Sequence, residues 1–568
     1  MATKLKRNFV EADIIIDSYS DIKPYFDQLL ERPLNSSKTV WQWLLDRSEL
    51  ESILNEELGW RYIRMNCNTA DEHLAKRFET FISEIEPQIA IVSNQLDAKF
   101  LTPEVMRMVD KSKLFIVVRE IKKELELFCK ENVPLEAELQ LKEQKYGVIA
   151  SKMSIQYKNE EFTLQSAANF LKKINPTIRE EVYRLIQNRR MQDSEVFQNL
   201  LTEQIKLRQT IAKNAGFINY RDYKFKELGR FDYTLEHCQR FHNSVAKVVV
   251  PLVDEVNMMR KQKLNLKNLR PWDLEVDTDL LPPLKPFGKV EELIRKTVLC
   301  FRDLEPEFGM YLNEMHKLGY LDLESRKNKA PGGFNYPLHE SNVPFIFMNA
   351  TGNFDDVVTL LHEGGHAIHA YLAAPLELVA FKEVPSEIAE LASMTMELIT
   401  MDQWHHFFTN EQELKRAKRK HLQSLLNTLP SVAKVDKFQH FLYENPFHTP
   451  EERNNYWIKL EQEFGSQVVD FSGLENYREN QWQRYLHIFE VPFYYIEYGI
   501  AQLGAIALWK NFKQDKLTTL KQFKTALKMG YTSPIPDTFK AAGIKFDFTE
   551  EYISELMTFV KKELEQLQ

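Results

Sequence analysis

Apolar positions recur at helical spacing through most of this chain, and only two short stretches read as strands. Thr69-Ala-Asp-Glu72 is a capping-box pattern. Thr102-Pro103-Glu104 puts proline at a first helical position after a threonine cap. Leu114–Lys130 has the spacing of an amphipathic helix. Residues 154–164 then read as a small hairpin turning through Lys158-Asn-Glu-Glu161. Asn175-Pro176-Thr177 starts the next helix, and long charged helices run from Arg179 to about Asn214. A proline-bearing connection covers Leu269–Pro286. The second strand candidate is Val343–Asn349, preceded by Pro331-Gly-Gly333; Pro344 suits it to a sheet edge.

Composition agrees with a helical chain. Glycine is scarce, 18 of 568 residues, while 43% are hydrophobic and 27% charged. The net charge of −8 argues against nucleic acid as a partner, because phosphate binding draws on a basic excess. Cys67, Cys129, Cys238 and Cys300 form no CxxC pair, which points away from a sulfur-held metal cluster and towards reduced thiols. The start of the chain carries no apolar run of signal-peptide length. The most membrane-like stretch, 488–509, is interrupted by Glu490, Pro492, Glu497 and Gln502, so a buried helix with polar work is the better reading. A cytoplasmic protein without a membrane partner is expected.

The informative residues are Leu360-Leu-His362-Glu363-Gly364-Gly365-His366-Ala-Ile-His369, which contain HExxH. With 14 histidines and at most 82 glutamates, about 0.05 chance matches are expected per chain, so the motif is specific. On a helix, His362 and His366 stand one turn apart and can both reach one zinc ion. Glu363 leans towards the attacking water as a general base. The flanking Asn353-Phe-Asp-Asp356 and an apolar body predict a buried helix. Two adjacent glycines cost helix stability unless another backbone, or the substrate, comes close.

A third ligand should follow. Glu387, Glu390 and Glu397 share one helix face in an otherwise apolar segment. Glu387 sits near the helix start, where an acid complements the dipole. Glu390, a turn further in, is the expected ligand, and Glu397 either orients a liganding histidine or forms a simple salt bridge.

HEGGHAIH followed by Glu390-Leu-Ala-Ser393 and Glu397 resembles the thimet oligopeptidase and oligoendopeptidase F family of zinc metallopeptidases, closest to the oligoendopeptidase F branch. His366 to Glu390 is 24 positions, matching that family's spacing. Similarity includes 345–349 and Asp355-Asp356 and reaches back to the hairpin. Gly364 departs from it, since the family has a larger apolar residue there; a wider pocket is the expected result. The resemblance also implies roles for His487, Tyr495 and Tyr498 beside the scissile carbonyl, with Tyr494 an alternative. An aromatic stripe packed in the core is the plainer reading of that segment.

The resemblance implies a mainly α, two-lobed helical metallopeptidase around a deep substrate channel, with a small β-sheet beside the HExxH helix. A division into an N-terminal helical region, 1–190, and a catalytic domain, 191–568, with interleaved lobes, is expected. The expected function is a zinc-dependent oligoendopeptidase holding one Zn2+ through His362, His366 and Glu390 and cutting short unstructured oligopeptides. The strand at 345–349 is expected to offer its free edge to an extended substrate. An exopeptidase using the same metal helix, or a helical scaffold with a dead site, are the alternatives.

Overall fold

Cap chemistry sets many element boundaries in this computed structural model, which describes residues 5–330 and 332–567. Met1–Lys4, Pro331 and Gln568 lie outside the described residues, so the first residues of the chain and the proline of the 331–333 break stand as sequence features only. The Asn175 side chain accepts the Thr177 amide and starts the helix Pro176–Gln192. Asp193 then leaves the helical region (φ −104°, ψ 8°) before Ser194–Asn214 resumes it. The Thr102-Pro103 start yields a single turn, Pro103–Met106, and the following amphipathic pattern becomes Phe115–Leu127. The architecture is mainly α, with two small sheets among the described residues.

Six helices recur below: α1 (Leu235–Ser244), α2 (Val290–Leu304), α3 (Phe354–Ala373), α4 (Ser386–Ile399), α5 (Glu411–Glu444) and α6 (Tyr495–Gln514). The strands are β1 (Ser154–Tyr157), β2 (Glu160–Thr163), β3 (Leu321–Glu324), β4 (Phe334–Tyr336) and β5 (Phe345–Ala350). The chain divides into two compact units, each assembled from three segments. Unit 1 comprises Met1–Phe128, Lys285–Ala417 and Ile500–Phe546; unit 2 comprises Cys129–Leu284, Lys418–Gly499 and Asp547–Gln568.

Within unit 1, β5 is the centre of a three-stranded sheet of order β3-β5-β4. It runs parallel to β3 and antiparallel to β4, with Phe347 opposite Phe334. This corrects the expectation of a free edge on 345–349, because both edges of β5 are paired. Pro344, which suggested an edge, lies one residue before the strand, where its missing N–H costs no ladder bond. Phe345, Phe347, Leu338 and Ile63 form a buried cluster under the sheet. The Lys329 ammonium donates to the carbonyls of Asp322, Glu324 and Met348, tying β3 to β5. α3 packs against β5 and β4.

Within unit 2, β1 and β2 pair antiparallel, Ser154 opposite Thr163, and pack their apolar residues on the helix Pro176–Gln192. The apolar stretch near 488–509 is not one helix. Leu486–Glu490 ends before Pro492, and α6 begins only at Tyr495. Among the described residues no helix is long and apolar enough to cross a membrane.

Candidate metal centre

α3 starts from a reciprocal cap. The Asn353 side chain accepts the Asp356 amide, while the Asp356 carboxylate takes the amides of Thr351, Gly352 and Asn353 at 2.8–2.9 Å. Two turns on, His362 and His366 stand one helical turn apart, their rings edge to face with centroids 5.0 Å apart.

The two glycines have different neighbours. A Cβ on Gly365 would stand 2.5 Å from Ser393 Cα and 2.9 Å from the Ala392 carbonyl oxygen, so α3 and α4 meet there backbone to backbone. A Cβ on Gly364 would stand 2.6 Å from the Phe301 ring of α2. The space left by the missing side chain is filled by that ring, which corrects the expectation of a widened pocket.

Close approach of α4 brings Glu390 to the histidines. Its Oε2 lies 3.3 Å from His362 Nε2 and 3.8 Å from His366 Nε2. Ser393 donates its hydroxyl to the same oxygen at 3.1 Å. Glu397, two turns further along α4, sits 2.6 Å from His362 Nδ1. That contact suits a proton on Nδ1, and a metal-bound neutral ring would then present Nε2 as its lone pair. Donor atoms of His362, His366 and Glu390 all lie within 4.8 Å of one another. Tetrahedral bonds of about 2.0–2.2 Å would put such atoms about 3.3–3.6 Å apart, close to the two separations found. The donor set therefore fits one divalent transition ion. Glu387, in the first turn of α4, is buried and outside this group. His369, a turn past His366, is also outside it; burial pushes its pKa down to about 3, and the Leu527 backbone is its polar neighbour.

Burial and charge work against each other at this centre. Burial opposes a charge on His362, but Glu390 and Glu397 outweigh it and raise its pKa well above the imidazole range. Burial lowers His366 to about 4. Burial, reinforced by Glu390 and Glu397, raises Glu363 to about 7. Sequence reasoning did not reach Asn335 of β4, whose side-chain amide donates to the Glu363 carbonyl at 3.3 Å. Only its position in a three-residue strand makes it visible.

His487, Tyr494, Tyr495 and Tyr498 form a second cluster, in unit 2. The His487 ring lies 4.9 Å from Tyr495, 5.8 Å from Tyr498 and 6.0 Å from Tyr494, centroid to centroid. All three phenols are half-buried, so the geometry gives Tyr495 no clear precedence over Tyr494. Burial pushes the Tyr495 phenol above its usual pKa. The turn before α6 is held in an unusual conformation: Phe493 has φ 67°, which costs a non-glycine residue about 1–2 kcal/mol. Gln439 accepts its amide at 2.7 Å and Arg230 donates to its carbonyl. Nothing in the residue type announced that strain; Pro492 was the only signal.

The chain matches the profile of peptidase family M3 over residues 169–558 and that of the peptidase M3 N-terminal domain over residues 9–128. It is 24% identical over 330 residues to Oligopeptidase PepF of Bacillus subtilis (strain 168), covering 56% of this chain and 47% of that protein. It is 21% identical over 321 residues to the chromosomal Oligoendopeptidase F of Lactococcus lactis subsp. cremoris, covering 56% and 52%. The chain thus spans about half the length of these curated relatives. A solved structure described as "PZ PEPTIDASE A with inhibitor 2" superposes with a TM-score of 0.91 at 25% identity, covering 98% of this chain and 99% of that one. With the catalytic-family profile extending over most of its residues, the chain belongs to peptidase family M3.

Proposed function

We propose that this protein is a zinc-dependent oligoendopeptidase that hydrolyses internal bonds of short, unstructured peptides. One observation carries the reading: His362, His366 and Glu390 converge while Glu363 stands beside them with a raised pKa. Those three side chains would hold the ion, which supplies a Lewis acid and acidifies a water. Glu363 would act as the general base, taking a proton from the attacking water and returning it to the leaving amine nitrogen. Glu397 keeps His362 in the tautomer that presents Nε2. Tyr498, Tyr495 and His487 carry donors suited to the developing oxyanion, a role supported by their chemistry and the family resemblance. The outer edge of β4 has no strand partner among the described residues, and an extended peptide could add there.

The test is cleavage of a peptide blocked at both ends. The zinc-loaded protein should cut it internally, and a chelator should abolish cleavage. Glu363→Gln should keep its zinc and lose at least about 100-fold in turnover, the scale of general-base assistance. Cleavage confined to free termini would make the protein an exopeptidase.

A further inference from the structure

Unit 2 buries another set of metal-binding side chains. Cys238 and His242 lie four residues apart on α1, and Asp436 and His440 lie four apart on α5. Each pair therefore stacks on one helix face. A Cys238 Sγ, an Asp436 carboxylate oxygen and a His440 ring nitrogen all lie within 4.8 Å of one another. Cys238 is 1% exposed and Asp436 fully buried.

The hydrogen bonding of this cluster is incomplete. His242 Nε2 stands 2.8 Å from Asp436 Oδ2 and holds that oxygen. His440 Nε2 approaches the same oxygen to 3.2 Å without making a hydrogen bond. Asp436 Oδ1 is sealed from solvent and has no hydrogen-bond partner. Leaving buried polar atoms unsatisfied is costly, and a cation between them satisfies an oxygen and a nitrogen together. A sulfur, a carboxylate oxygen and a ring nitrogen converging in one buried place form a donor set suited to a cation. A thiolate and a carboxylate together carry the charge that one divalent cation neutralises. Sulfur and imidazole in the set select zinc-like ions over magnesium or calcium.

We propose that Cys238, Asp436 and His440 form a second zinc site that pins α1 to α5, its fourth position taken by a buried water, with His242 steadying the Asp436 carboxylate. Bonds of about 2.0–2.3 Å would place the donors about 3.3–3.8 Å apart, a spacing compatible with donor atoms that all lie within 4.8 Å of one another. Burial of the thiol and the carboxylate leaves no room for substrate chemistry. The ion would instead stiffen the bed of α6, because a Cβ on Gly499 would stand 2.6 Å from Phe241 of α1 and 2.9 Å from Val432 of α5.

Metal counting on the full-length chain tests this independently of peptidase activity. After zinc loading and desalting, elemental analysis should give about two ions per chain for the wild type. The double variant His362→Ala/His366→Ala should give about one, and adding Cys238→Ser should bring it near zero while circular dichroism stays unchanged. Cobalt loaded into the double variant should show a thiolate-to-cobalt charge-transfer band in the near ultraviolet that Cys238→Ser removes. A folded double variant that holds no ion overturns the proposal. So does an ion held without the thiolate band, or one that survives Cys238→Ser.

Discussion

Gly365→Ala tests how the metal centre is assembled, because it adds one methyl where α3 and α4 touch. The new Cβ would lie 2.5 Å from Ser393 Cα, about 1 Å short of ordinary carbon contact. Its nearest neighbours are backbone atoms of Ala392 and Ser393, so no side chain can swing aside. Relief requires α4 to move by about 1 Å, and Glu390 lies one turn before Ser393 on that helix. Overpacking costs about 1–3 kcal/mol, and replacing a helical glycine by alanine returns about 1 kcal/mol. Folding stability should therefore fall by only about 0–2 kcal/mol. Metal binding is less tolerant, since ligand distances are set to about 0.2 Å. Displacing the Glu390 carboxylate should weaken zinc binding at least as much as losing a supporting residue does, about 10–100-fold. Competition for zinc against a chromophoric chelator measures this, with melting curves alongside. Gly364→Ala is the control: its Cβ meets the end of the Phe301 side chain rather than the backbone of α4, so Glu390 should stay in place and zinc affinity should hold within about threefold. Wild-type zinc affinity in Gly365→Ala, or equal losses in both variants, would refute the idea that backbone contact positions Glu390.

Other residues give sharper separations of role. Glu397→Gln should weaken zinc binding by about 10–100-fold without changing the cleavage pattern, measured by the same competition, because it loosens the hold on His362 Nδ1. Tyr498→Phe should keep its zinc and lose about 10²–10³ in kcat if its hydroxyl meets the oxyanion, and normal kinetics would leave it a packing residue. Glu490 is raised to about 7 by burial and by Glu143. A raised folded pKa means its contribution to stability is fully present below the unfolded value near 4.5 and is lost as pH rises through 7. Glu490→Gln should therefore melt with a smaller drop between pH 5 and pH 8 than the wild type, followed by circular dichroism.

Much of the centre was legible because helical spacing is a strict ruler. HExxH fixes two ring nitrogens one turn apart, and the 387–390–397 face could be read before Glu390 and Glu397 were seen against His362. Of the sheet, the β5 strand was legible but its partners were not. β4 is three residues long, too short for any alternation to register, and β3 pairs with β5 across a chain gap that no local pattern encodes. Proline before β5 therefore suggested an edge that belongs to β4. The apolar run near 488 misled for a related reason, since hydrophobicity marks burial and not continuity. The Cys238/His242 and Asp436/His440 pairs were present as four-residue spacings, but each pair alone is common, and only folding set them face to face.

The charge pattern around His362 explains why these particular acids sit together. Glu363, Glu390 and Glu397 gather three carboxylates about two imidazoles in a largely buried place, and uncompensated buried charge costs several kcal/mol. Protons can meet part of that cost, which is the physical content of the raised pKa values of His362 and Glu363. A divalent ion meets it differently. With two neutral imidazoles, it leaves one positive charge after Glu390 and none after Glu397. Such an ion would favour the ionised form of Glu363, which burial otherwise raises to about 7, and so leave it a carboxylate at neutral pH. In the proposed enzyme, the acids that create the demand for a cation would thus receive from it the ionisation state a general base needs. Glu397 would temper that effect: without it less negative charge would offset the ion's field, Glu363 would become more acidic, and it would be a weaker base towards the attacking water.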